Sequence, residues 1–141
     1  MASINSGRVW IGTLAGGVVW TIWTMVVNMV FLASRYEAGQ AANLFLKEPR
    51  YSYFLPVWIL TLFVLTFFAT RIYAMARGAA GAGPGTALKV GAIIGFTAGF
   101  PLTFSIAAWM PIDRFIPLFW MLDLWVGAIL ATLIAAWLYK D

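Results

Sequence analysis

The chain has 141 residues, a length suited to one domain, with nine Lys and Arg against five Asp and Glu, a net charge of +4. Hydrophobic residues make up 63% and charged ones 10%, against roughly 25% charged in ordinary soluble domains, so there is too little polar surface to coat a body in water. With no Cys and no His, disulfides, CxxC redox chemistry, the usual zinc sites and His-ligated haem are excluded.

Residues 1–8 are polar and end in Arg8. The apolar run that follows, Val9 to Ala33, is about 25 residues or 37 Å of helix, enough to span a bilayer with some tilt and too long for a signal-peptide core. Thr13, Gly17, Thr21, Thr24 and Asn28 fall within roughly 80° of one another on this first span, a small and polar stripe expected to face other helices. The connection from Ser34 to Phe54 is long for a compact bundle. Ala38, Ala41, Ala42 and Phe45 recur in it at helical spacing among Glu37, Gln40 and Asn43, which predicts a short amphipathic helix on the membrane surface, stopped at Glu48-Pro49. Tyr51, Tyr53 and Phe54 read as an interfacial aromatic belt.

Pro56 suits the first turn of a second span, expected over about 55–76. Residues 78–85, Gly-Ala-Ala-Gly-Ala-Gly-Pro-Gly, form a linker between two helical hairpins; no Gly-Lys-Ser/Thr follows and no strand precedes, so it is no phosphate loop. The third span, about 87–110, carries Gly91, Gly95 and Gly99 at four-residue steps, a groove that lets a neighbouring backbone come close. Glycine costs about 1 kcal/mol relative to alanine in a helix interior, so something must press against it. Two residues later Pro101 takes the helical donor from the Thr97 carbonyl, which predicts a kinked, central helix. In the fourth span, about 116–139, Asp123, Gly127, Ala131 and Ala135 share one side, so the acid faces protein. The fold class expected is all-α: a single four-span integral membrane domain over 1–141, an antiparallel up-down four-helix bundle with a short interfacial helix between the first two spans.

Antiparallel connectivity places Asn28, Thr61, Thr103, Ser105 and Asp123 in one layer near the 1-2 and 3-4 loops, about 10 Å deep at about 1.5 Å per residue. Arg35, Arg50 and Arg114 hang over it, and Trp58, Trp109, Trp120 and Trp125 stand around it, the tryptophans being read mainly as girdle. Asp123, Asn28, Thr103, Ser105, Arg114 and Trp120 are therefore the candidate polar site. An ionisable group in a membrane helix costs roughly 2.5 to 3.5 kcal/mol and is suspect as functional by default. Two readings stay open: Asp123 pins its helix by pairing with Arg114, Arg35 or a polar neighbour, or it titrates or binds a cation. Asp113 is read as an N-cap. Gly17, Gly91, Gly95, Gly99 and Gly127 are packing positions, within one chain or across a dimer seam.

No nucleophile with a base and no cluster of carboxylates stands out, so neither an enzyme nor a cofactor is expected. The basic residues are scattered rather than gathered on a face, which points away from nucleic acid and toward membrane lipids. One side carries Arg8, Arg71, Arg77, Lys89 and Lys140, the other Arg35, Lys47, Arg50 and Arg114, an excess favouring cytoplasmic termini.

From Leu44 to Asp141, the segments Leu44-Phe45-Leu46-Lys47-Glu48-Pro49-Arg50-Tyr51, Gly99-Phe100-Pro101 and Trp120-Met121-Leu122-Asp123-Leu124-Trp125 resemble those of small four-helix bacterial inner-membrane proteins, a group with no activity to lend. Small multidrug transporters compare only in size and helix count, since their first-span carboxylate is replaced here by Thr and Asn. The expected function is non-catalytic, through helix packing: a self-associating protein or an accessory subunit of a membrane complex. The alternative is a small transporter or binding protein for a lipid-like or cationic solute, anchored on Asp123 and Asn28.

Overall fold

The computed structural model describes residues 4–139; Lys140, counted above with the terminal charges, lies outside them. Every regular element among the described residues is helical: α1 (Ser6–Val26), a π-helical turn (Val27–Phe31), α2 (Ala33–Ala41), α3 (Phe54–Ala80), α4 (Pro84–Trp109) and α5 (Phe115–Leu138). α1 with its π turn, α3, α4 and α5 are each long and apolar enough to cross a membrane.

Local chemistry sets the ends. The Asn5 side chain accepts the Arg8 N–H at 3.1 Å and caps α1. α3 runs four residues past its expected end, because Ala79 and Ala80 are good helix formers, and stops at Gly81, whose φ of +87° suits glycine. Pro84, whose missing N–H is no loss in a first turn, then opens α4. At the other end the N-cap position of α5 falls on Arg114 rather than on Asp113, which stands one residue earlier and accepts the N–H of the first helical residue, Phe115, at 2.9 Å.

α2 differs from the expected interfacial helix in start and length. It continues α1 through the π turn, in which the Leu32 N–H reaches the Val27 carbonyl five residues back at 3.1 Å. It ends at Ala41, since Asn43 takes a positive φ of 58°. Phe45 therefore lies outside the helix and folds back over Gly39.

The central element is α5, not the glycine-spined α4. α5 packs on α1, α3 and α4, with α1 and α4 on different sides of it. Toward α4 it presents Met121, Leu124, Trp125, Ala128, Ile129 and Thr132, against Gly99, Gly95 and Gly91. A Cβ at Gly95 would stand 2.7 Å from both the Leu124 carbonyl oxygen and the Trp125 Cα, so the spine is an intramolecular contact. Toward α1 it presents Asp123, Gly127, Ala131 and Ala135, meeting Thr24, Trp20, Gly16 and Gly12 in reverse order at four-residue steps. That reversed order makes α1 and α5 antiparallel. Gly17 receives Phe63 of α3. α4 remains helical through Pro101 and lies on a flank because its large side chains, such as Ile93 and Leu102, point outward.

Candidate functional site

Trp20 occupies the middle of the bundle and is fully buried, against the expectation of a tryptophan girdle. Its ring lies on the open Cα of Gly127, and Leu62, Ala128 and Ala131 close around it. Its indole N–H has no hydrogen-bond partner among the described residues.

One turn toward the loops, Asp123 is 2% exposed. Thr24 Oγ1 donates to its Oδ1 at 2.6 Å, and Asn28 Nδ2 reaches Oδ2 in a longer contact of 3.5 Å. Bonds to a charged acceptor contribute about 1.5 to 3 kcal/mol each, the size needed to offset burying the acid in a membrane helix. The other buried threonines spend their hydroxyls differently. Thr13, Thr66, Thr70, Thr103 and Thr132 each donate to the carbonyl four residues back in their own helix, and Thr86 donates to Gly81. Thr24 alone among them reaches a side chain of another helix.

Asn28 stands in the π turn, where the register change leaves room for its amide to bridge outward. Nδ2 donates to the Thr24 carbonyl at 2.9 Å, and Oδ1 accepts the Tyr36 hydroxyl at 2.6 Å. Tyr36 Oη in turn accepts Trp120 Nε1–H at 2.6 Å. At about 100° per residue Tyr36 would stand about 80° away from Asn28; the wide turn absorbs roughly one residue and brings the two onto one face. The result is a chain of donors, Trp120 to Tyr36 to Asn28 to Asp123, all pointing at the carboxylate. Such a direction follows from an anion that only accepts. Burial pushes the Tyr36 phenol above its ordinary value of 10.0, with Asp123 adding in the same direction and the Trp120 N–H opposing.

Of the predicted site residues, Asp123, Asn28 and Trp120 come together, Trp120 through Tyr36. Thr103 is buried but its hydroxyl serves the Gly99 carbonyl at 2.7 Å. Ser105 is exposed on the outer side of α4, and Thr61 is exposed on α3. Trp109, 85% exposed, points away from the bundle. These positions match in depth but not in azimuth, which depth arithmetic does not contain. Arg114 is exposed and lies over the Phe115 ring, 5.9 Å from its centroid, rather than beside Asp123. Arg35 pairs with Asp113, whose carboxyl is held below its ordinary 3.8 by the Phe115 N–H first, then by Arg35 and Arg114. Thr24 was visible in the small and polar stripe; Tyr36 carried no signal, because its place depends on the π turn.

Among the described residues no three His, Cys, Asp or Glu side chains gather closely enough to hold a metal ion. Compared with protein-family models, curated proteins and solved structures, the chain matches none.

Proposed function

We propose that this chain is a non-catalytic multi-pass membrane protein that binds a proton at Asp123 and works as a small proton-responsive transport or binding protein. The observation that carries this reading is the enclosure of Asp123: at 2% exposure with both oxygens engaged, an organic cation or hydrated metal must part α1 from α5 to reach it, whereas a proton need not. A purely structural link between these helices is made as well by a neutral side chain, without the cost of a charge.

The proton has a definite consequence. A neutral carboxyl carries one O–H and must donate it. Donation to Thr24 Oγ1 releases the threonine's own hydrogen, which then turns to the Trp20 carbonyl four residues back, the arrangement the other membrane-buried threonines already hold. The α1–α5 link thus exchanges a charge-assisted bond for a weaker neutral one. Tyr36 and Asn28 connect this event to α2 and the loop side.

Infrared difference spectra of the reconstituted protein between acid and neutral pH test it. Wild type is expected to give a carboxylic-acid C=O band that D123N lacks. Identical spectra for the two proteins overturn the reading.

The association reading now rests on a different face, since the glycine spine is used within the chain. Phe96, Phe100 and Phe104 stack along the outside of α4 with centroids 4.8 and 5.3 Å apart, and Trp125 packs edge-on to Phe96. This flat exposed wall suits a second copy or another membrane subunit; F100A should then lower the protein's mass in detergent. Residence in a bacterial inner membrane with cytoplasmic termini belongs to the same proposal, supported by the excess of basic residues on the terminal side and by the resemblance of the segments around Lys47, Pro101 and Asp123.

A further inference from the structure

At the loop end, two rungs join the first span and its continuation α2 to α5. Phe31 stacks on Phe119, ring centroids 5.2 Å apart. One turn further out, Arg35 lies over Phe115, 4.4 Å from its centroid. Arg114 approaches the same ring at 5.9 Å. Two guanidinium groups thus share one aromatic ring, and Asp113 is the carboxylate paired there, a local excess of one positive charge. Phe31 and Phe115 are 44% and 38% exposed. The rung spacing is about 5.4 Å, one helical turn, so a polar, cationic level sits directly above an apolar aromatic one. On the inner side of Arg35 lies a cavity of about 400 Å³ bordered by Ser34, Gly39, Phe45 and Asp113.

We propose that this corner binds an anionic glycerophospholipid: Arg35 and Arg114 hold its phosphate, head-group hydroxyls enter the cavity toward Asp113 and Ser34, and an acyl chain lies along Phe115, Phe119 and Phe31. Charge decides the class of ligand. Arginine is suited to phosphate because its planar fork offers several donors at once, and Asp113 uses only part of the Arg35 fork. The Phe115 ring beneath both guanidinium groups holds them at one level. A free phosphate satisfies the upper level but leaves the lower one uncovered, which is why the lipid is the occupant. The assignment stands independently of the proton reading.

The test uses the full chain in detergent, with lipid retention read by native mass spectrometry on adding phosphatidylglycerol, phosphatidylcholine or inorganic phosphate. Phosphatidylglycerol should bind more tightly than phosphatidylcholine. R114Q should weaken it about fivefold and R35Q/R114Q about 25-fold, from about 1 kcal/mol per basic side chain near a lipid surface. R114K, which keeps the charge but loses the planar fork, should fall between wild type and R114Q, and F31A/F119A should lose lipid without changing helicity. Should the double arginine variant misfold, R114Q decides, since that position is exposed. Equal retention by R114Q and wild type, or equal binding of the two lipids, overturns the proposal. Competition by inorganic phosphate together with no effect of F31A/F119A would make it a plain anion site and overturn the lipid assignment.

Discussion

The indole of Trp20 rests directly on the Cα of Gly127, so a methyl group there would collide with the ring. The one fully buried tryptophan of α1 is accommodated by the smallest residue of α5, one turn below the Thr24–Asp123 bond. G127A is therefore expected to destabilise the protein by about 1 to 3 kcal/mol, the usual cost of overpacking, despite alanine's better helix propensity. Thermal melts in detergent measure this. W20F, which vacates space beside Gly127, should recover part of the loss in the double variant, a coupling that a double-mutant cycle detects.

Gly95 tests a different seam. The atoms its substitution would strike are α5 backbone, which cannot rotate aside. G95A should lower the melting temperature and leave the mass in detergent unchanged, because α4 and α5 belong to one chain. A change in mass at undiminished stability would mean the spine also packs between copies.

T24V removes the short donor to Asp123 while keeping shape and volume. It should cost about 1.5 to 3 kcal/mol at neutral pH, as for bonds to charged groups. T24S should stay within a fraction of that, since it restores the hydroxyl. The contrast is readable in the same melts. A loss in T24S with none in T24V would assign Thr24's contribution to its methyl group instead.

Tyr36 gives a pH dependence with a definite sign. Its folded value lies above the ordinary 10.0 mainly through burial, so the neutral phenol is favoured by folding. The stability it contributes is fully present below the unfolded value and is lost as pH rises through the higher folded one. Tyrosinate absorbance near neutral-to-alkaline titration should show one late-ionising group that Y36F lacks. Y36F should also detach Trp120 from the chain of donors, altering indole emission.

Much of this molecule was legible in the residue order. Four spans follow from apolar length, and the inward face of α5 follows from Asp123, Gly127, Ala131 and Ala135 standing four apart. Asn28 and Asp123 could be placed at one depth by counting residues from the loops. The bond from the Phe115 N–H to Asp113 at the start of α5 is a local event that needs no tertiary information, although the N-cap itself falls one residue later, on Arg114.

Azimuth and register lay beyond that reading. Ser105 and Thr61 have the right depth and the wrong side, and α4 bears the glycine groove without being the centre, because a groove marks one contact while α5 supplies three. Tyr36 joins the site only through the π turn, a shift of register that periodicity at 3.6 residues cannot express. Composition and spacing depend on each helix alone and so are written in the chain; which faces meet depends on all the helices at once, through the volumes of Trp20, Phe63 and the glycines that receive them.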